Sequence, residues 1–325
     1  MASVSVILPT YRPGAEVLGL IGELEHQSVM PERLVIINTE EEPESGTPYW
    51  DALVEADTDH ILEKYDNIIL KHVAKRDFDH GGTRNMGVAM TDSSYFLMIT
   101  QDAMPRDHRL IATLMGALEG DPEAAAAYAR QYPRSDCGLE ERYLRKFNYP
   151  SDPARKTASD LPRLGIKTYF CSNVCAMYVR DIFDTLGGFP EPSIFNEDMV
   201  YAGRAVQQGY AIHYVPEAGV IHSHNYTLRQ QFKRNFDLGV SQTDHPEIFS
   251  GISSESEGRR MVGQTVRHFM HIGKGHLVIH YLVMCASRLA GYRLGRSYRV
   301  LPRGVVLHST MNRAYWDNRR DPGPG

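Results

Sequence analysis

Four short apolar runs recur within the first 105 residues, and each leads into a polar stretch. They are "VSVILPTY" (4–11), "RLVIINTE" (33–40), "IILKHVA" (68–74) and "SYFLMITQDAMP" (94–105). Their β-branched and aromatic content and short length predict strands buried on both faces. Between them lie stretches with helical spacing, such as Val17, Leu20, Ile21 and Leu24 in "EVLGLIGELEHQ". Alternating strands and helices predict an α/β fold with a mostly parallel, Rossmann-like sheet flanked by helices. Such sheets bind ligands beyond the carboxyl ends of their strands. Polar residues gather at those ends: Thr10, Tyr11 and Arg12; Asn38, Thr39 and Glu40; Thr100, Gln101 and Asp102.

The rest of the chain continues the pattern less regularly. "LIATLMGALEGDPEAAAAYARQ" reads as helix, loop, and then either strand or helix. Residues 133–168 are rich in Pro, Arg and Asp and read as a long insertion or lid, with a short helix at "LEERYLRKF". "YFCSNVCAMYVRDIFDTLGGFP" (169–190) predicts a strand, a helix and a Gly-Gly stop. "SIFNEDMVYAGRAVQQGY" predicts a helix with Asn196 as N-cap and Glu197 and Asp198 in its first turn. "AIHYVPEAGVIHSHNYT" predicts a strand and a histidine-bearing loop. The composition shift at "SGISSESEG" divides a body, residues 1–250, from a helical C-terminal region, residues 251–325.

Charge separates the same two parts. Residues 259–325 carry 12 Lys/Arg against 2 Asp/Glu, while residues 1–258 carry 23 against 38. An acidic body argues against a nucleic-acid partner, and a basic end predicts contact with something anionic. No leader-like segment precedes the first strand, and no stretch reaches the ~18 consecutive apolar residues of a spanning helix. Four cysteines in 325 residues fit reduced thiols in a cytoplasmic protein. The apolar, arginine-rich "GHLVIHYLVMCASRLAGYRLGRSYRVLPRG" reads in one of three ways. It lies peripherally on an anionic inner membrane face, packs as a helical subdomain, or forms a homo-oligomer contact.

The candidate chemistry is open to two readings at each position. In "DFDHGGTRNMG" (77–87), Arg84 follows Gly81-Gly82 and either faces a phosphate or pairs with Asp77 or Asp79. Asp102 either reaches a divalent cation or is a solvated turn residue or helix cap. Glu197-Asp198 either supplies a proton acceptor or merely complements a helix dipole. The first role needs burial or like charge to offset the helix N-terminus. His222 and His224, two apart, either join a metal shell or phosphate site or are hydrogen-bonded loop histidines.

Taken in order, these motifs resemble the inverting family-two glycosyltransferases of the GT-A fold. "VILPTYRP", "GGTRNMG", "TQDAMP", "FNEDM" and "HSHNYT" carry the likeness, and "FCSNVCAMYVRDIF", "QQFKRNFDLGV" and "GYRLGRSYRVLP" resemble the bacterial rhamnosyltransferase branch. The resemblance implies a nucleotide-sugar donor, dTDP-β-L-rhamnose, and a growing cell-surface glycan or polyprenyl-linked acceptor. It implies that Thr10, Tyr11, Arg12 and Glu40 line the nucleoside pocket. Asp79, Gly81, Arg84 and Gln101 would belong to the donor site, and Asp102, His222 and His224 would hold Mg²⁺ or Mn²⁺. Asp198 would be the catalytic base, with Glu197 beside it. The chain departs from the family in two places. Thr100 stands where a first carboxylate of the acidic motif is usual. Gln231 and Arg234 fit the late Gln-x-x-Arg-Trp motif, but Asn235 replaces tryptophan, which implies addition of one or a few sugars. A UDP-hexose donor is the alternative, as is a non-catalytic nucleotide-sugar binder. A pyrophosphorylase is disfavoured because "PTYRPGAEV" lacks the glycine-rich signature that such an enzyme carries after its first strand.

Overall fold

The computed structural model describes residues 2–252 and 254–317. Its strands are β1 (Val4–Tyr11), β2 (Arg33–Glu40), β3 (Ile68–Ala74), β4 (Tyr95–Ile99), β5 (Met104–Pro105), β6 (Ala124–Tyr132), β7 (Ala154–Lys156), β8 (Cys175–Val179) and β9 (Ala211–Ile221). They form one sheet in the order β3-β2-β1-β4-β8-β6-β9-β5, with β7 also paired to β9. The first four are mutually parallel, as are β6 and β9. β8 runs antiparallel to both β4 and β6, so the sheet is mixed. The chain is therefore α/β with a sheet in which most long strands share one direction, in accord with the sequence.

Apolar matter lies on both faces of this sheet. In β1, Val6 and Leu8 pack with Leu20, Ile21 and Leu24 of the Glu16–Glu25 helix. Ile7 points the other way, towards Val35, Ile37 and Val88. Two buried faces explain why the strand reads as a continuous apolar run rather than an alternation. Each such side chain removed from water contributes roughly 1.5–3 kcal/mol. On the second face the His80–Ala89 helix approaches closely at Gly87, where a Cβ would sit 2.5 Å from Ile7 Cγ2.

Two local expectations are settled by sheet context. "AAAAYARQY" is β6 despite its alanines, because it is sandwiched between β8 and β9 and its helix propensity is overridden by pairing. Residues 169–174 are not strand: β8 begins at Cys175, and the Thr100 N–H closes on the Val174 carbonyl at 3.2 Å.

The late helices wall the site. The Leu228–Asp244 and His276–Arg296 helices lie side by side and run the same way. Ser287 Oγ donates to the Leu228 carbonyl (2.9 Å), and Thr243 Oγ1 donates to that of Arg296 (3.4 Å). A Cβ at Gly291 or Gly295 would collide with the carbonyls of Phe232 and Phe236, so this contact is backbone against backbone. Phe236 and Val240 share a core with Ile194 of the body and with Tyr298 and Trp316. Leu144 of the Leu139–Asn148 helix packs with Phe269 and Tyr281, which fixes the 133–168 segment against the C-terminal helices. Among the described residues, no helix is long and apolar enough to cross a membrane.

Candidate active site

The fold brings part of the predicted set together. Because β1 lies beside β4, the Gln101 side chain clamps the Tyr11 backbone, accepting from its N–H (2.8 Å) and donating to its carbonyl (3.2 Å). Pairing of Met104 with Ile221 draws the Asp102 loop against His222. The entry to β8 adds Asn173, and the Glu197–Gln207 helix starts beneath it. A cleft of ≈ 560 Å³ results, with Arg84, Asp102, Asn173, Glu197, Asp198, His222 and His224 in its lining.

At its floor two carboxylates are held by one asparagine. Asn173 Nδ2 donates to Glu197 Oε1 (2.9 Å), and its backbone N–H donates to Asp198 Oδ2 (2.9 Å). The Met199 N–H donates to Asp198 Oδ1 at 2.7 Å. Arg84 pairs with neither Asp77 nor Asp79. Its Nη1 donates to the His80 carbonyl (2.8 Å), and its Nε lies 3.3 Å from Glu197 Oε1. Both partners are deeply buried, at 7% and 4% exposure. Asn196 precedes the helix as expected, yet at φ 69° it is left-handed and makes no side-chain capping bond.

This arrangement splits the two acids. Burial, and then the charge of Glu197, push Asp198 up to about 7. Burial also opposes ionisation of Glu197, but Arg84 and His80 outweigh it and keep that carboxyl below its ordinary value. Adjacent acids with separated proton affinities are the pattern expected of a proton acceptor beside a fixed anion. The compensation the helix N-terminus demanded is thus supplied by burial and by like charge.

Opposite the acids lies a second cluster. His222 Nδ1 is 3.2 Å from Asp102 Oδ1, and His224 Nε2 is 3.2 Å from Asp102 Oδ2. One ligand atom from each residue lies within 4.8 Å of the others. Burial opposes ionisation of Asp102, yet the two imidazoles prevail and hold its carboxyl well below the carboxylate range. Burial and His222 push His224 down to about 4, leaving a neutral ring of the kind that ligates metal. His222 Nδ1 is buried, and its approach to Asp102 Oδ1 is off the line of a well-formed hydrogen bond. One carboxylate and two imidazoles, with a ligand atom of each in mutual reach, fit a divalent cation.

The outer rim is built differently from expectation. Tyr11 and Arg12 stand at the surface, joined by Glu41: the Tyr11 hydroxyl donates to it at 2.7 Å and Arg12 Nη2 at 2.9 Å. Lys75 Nζ donates to the same carboxylate at 3.0 Å. Thr10 is turned inward and donates to Asn38 Oδ1 (2.9 Å). The structure does not bring Glu40 to the cleft. It is fully buried, accepting from Asn38 Nδ2 (2.9 Å) and the Trp50 N–H (3.1 Å). Asp79 does not line the cleft either: Oδ1 accepts the N–H groups of Gly81 (3.0 Å) and Gly82 (2.7 Å), and Oδ2 that of Ser193 (2.6 Å). Gly81 presses against the Pro190 carbonyl. Both residues set the turn that delivers Arg84 and His80.

Four participants escaped the sequence reading. Asn173 sits in an irregular segment and carries no periodic signal. His80 is packed edge-on between Phe78 and Phe195, at centroid distances of 5.0 and 6.3 Å, and enclosure pushes it down to about 4. Glu41 lies one place beyond the strand end that drew attention to Glu40. Arg145, in the insertion helix, donates to Glu141 (2.6 Å) and to Gln131 within the cleft.

The comparisons with known proteins converge on one class. The profile of Glycosyl transferase family 2 matches residues 5–187. The chain is 34% identical over 319 residues to the O-antigen chain rhamnosyltransferase RfbN of Salmonella typhimurium, covering 97% of this chain and 96% of that one. It is 36% identical over 323 residues to the O-antigen chain rhamnosyltransferase WbaN of Salmonella anatum, covering 98% and 97%. In three dimensions it is similar to the mannosyltransferase PcManGT of Pyrobaculum calidifontis, solved with GDP-Man and Mn²⁺. That match has a TM-score of 0.57 at 16% identity and covers 98% of this chain and 88% of that one. It is also similar to residues 1–349 of S. aureus TarS, with a TM-score of 0.50 at 16% identity, covering 91% of each chain.

Proposed function

The chain belongs to glycosyl transferase family 2, and from that premise we propose that it is an inverting rhamnosyltransferase. It moves L-rhamnose from dTDP-β-L-rhamnose to a hydroxyl of a growing cell-surface glycan or polyprenyl-linked acceptor. The observation that carries this reading is the opposition, in one cleft, of the Glu197–Asp198 pair to the Asp102–His222–His224 cluster. Full-length similarity to two O-antigen chain rhamnosyltransferases supports the choice of sugar.

Asp198 takes the proton of the acceptor hydroxyl as that oxygen attacks the anomeric carbon from the face opposite the diphosphate. Glu197 remains charged because Arg84 lies 3.3 Å away, and its charge raises the basicity of Asp198. Asn173 fixes the direction of both carboxylates. Arg234 lies over the rings of Phe195 (4.5 Å) and Tyr226 (5.6 Å) and has no ion-pair partner among the described residues, so its guanidinium is placed to take phosphoryl oxygens. Tyr11 and Arg12 border the nucleoside, with Gln101 holding Tyr11. Asp102, His222 and His224 would hold Mg²⁺ or Mn²⁺, which supplies positive charge against the departing diphosphate.

The region after residue 250 serves, in this reading, as a docking face for an anionic membrane surface carrying the acceptor. Met270, Ile272, Ile279, Leu282 and Val283 are exposed there, Ile279 by 74%, in a segment of strongly basic balance.

A donor screen tests the reading. Melting is measured with Mn²⁺ and dTDP-β-L-rhamnose, UDP-hexoses or GDP-mannose. The rhamnose donor should give the largest rise, and NMR of the product should show the inverted anomer. Preference for a UDP-hexose would overturn the choice of sugar.

A further inference from the structure

A second hollow of ≈ 360 Å³ adjoins the cleft, sharing Glu141, His224, Tyr226, Gln231 and Arg288 with it. Its remaining sides come from the start of the Leu139–Asn148 helix, including Glu140, and from Leu277 and Met284. None of the Tyr11–Arg12–Glu41 rim takes part. The volume lies within the ordinary range of small-molecule sites.

Its chemistry centres on Glu140. That side chain is 18% exposed, and its nearest basic nitrogens are His280 Nδ1 at 3.5 Å and Arg288 Nη2 at 3.8 Å. Among the described residues, His280 is the side chain that hydrogen-bonds to it, and at 3.5 Å that bond is long. Arg288 is anchored through Nε to Gln231 Oε1 at 3.1 Å, so the guanidinium is held in place beside the carboxylate. A half-buried carboxylate short of donors costs free energy unless something supplies them. Around this polar pair, Leu277, Met284 and the Tyr226 ring offer apolar surface. Vicinal hydroxyls on a ring with an apolar C–H face match both features: they donate to the carboxylate, accept from the guanidinium and rest on the apolar wall.

We infer that this hollow is the acceptor subsite, binding the sugar next to the one whose hydroxyl is attacked. The inference rests on the transferase reading above, and it assigns acceptor recognition to the junction of the insertion helix and the C-terminal helices.

The test uses the full chain, with methyl α-glycosides of galactose, mannose, glucose and rhamnose as probes in saturation-transfer NMR. Wild type, Glu140→Ala and Leu277→Trp are compared. In parallel, the melting rise with dTDP-β-L-rhamnose and Mn²⁺ reads the donor site. At least one glycoside should bind the wild type and bind roughly tenfold or more weakly to both variants, with the donor rise kept. Binding equal in wild type and variants, or no glycoside bound by the wild type, overturns the subsite. Absence of the donor rise in the wild type counts against the rhamnosyl donor instead, and the glycoside comparison still decides the hollow.

Discussion

The backbone N–H of Asn173 donates to Asp198 Oδ2 at 2.9 Å, from a segment that enters the sheet just beside the Asp102 loop. That bond aims the acid while burial keeps its proton affinity high, at about 7. The rate should therefore climb as pH rises through about 7 and then level. Asp198→Asn should lower kcat by about a hundredfold or more. The variant should stay folded. A carboxyl raised in the native state adds stability that is complete below its unfolded value of roughly 3.9 and is lost as pH passes about 7, so a neutral amide removes a liability at pH 8. Steady-state kinetics and melting curves at pH 5.5 and 8 check both statements. Near-normal turnover in folded protein would refute the assignment of the base.

Arg84 sets the other half of the split. It is the chief influence lowering Glu197, and it also lowers Asp198. In Arg84→Gln both carboxyls lose that restraint, so the rising limb of the pH–rate profile should move to higher pH. A lower rate with an unmoved limb would show that the arginine acts on the donor alone.

Removal of metal should abolish transfer, and Mn²⁺ or Mg²⁺ should restore it. Asp102→Ala and His224→Ala should each raise the concentration of Mn²⁺ needed for half-maximal rate by at least the roughly tenfold that loss of a mere supporting partner costs. Full activity in EDTA would remove the cation from the reading.

The contact between the late helices predicts opposite signs for one substitution. At Gly291 a new methyl meets the Phe232 carbonyl, whereas at Gly263 it meets nothing within 4 Å. Gly291→Ala should lower stability by about 1–3 kcal/mol through overpacking. Gly263→Ala should raise it by about 0.5–1 kcal/mol, as alanine does within a helix. Urea midpoints of the two variants decide the matter.

The sheet was legible because each early strand carries a long apolar signature and ends in polar residues. Arg84, Asp102 and Asp198 could be grouped because the order of their motifs resembles one family, and in the structure all three line the same cleft. What stayed hidden depended on facing direction. Glu40 and Glu41 are adjacent in sequence, and only the end of β2 decides that the first turns inward to Trp50 and the second outward to Arg12. Asp79 was placed in the donor turn by resemblance alone, and its capping of the His80–Ala89 helix depends on which way its carboxylate faces. Asn173 was invisible because a lone asparagine in irregular chain has no period, and its importance comes from two helical residues, Glu197 and Asp198, 24 and 25 places later.

The His276–Arg296 helix presents apolar side chains on both sides. Tyr281 and Met284 are buried, while Ile279, Leu282, Val283 and Leu289 face solvent, as do Met270 at the end of the Ser254–His271 helix and Ile272 just after it. A stripe of this kind in water implies a covering surface. The sequence from 258 to 316 holds no Asp or Glu, so an anionic leaflet would meet no repulsion there. Full-length protein should sediment with vesicles containing phosphatidylglycerol and not with pure phosphatidylcholine, and binding should weaken as salt rises. The double variant Ile279→Ser/Leu282→Ser should lose binding while keeping its donor-induced rise in melting temperature. A dimer in sedimentation velocity that the same two substitutions dissociate, with no vesicle binding at low salt, would assign the stripe to a second copy of the chain instead.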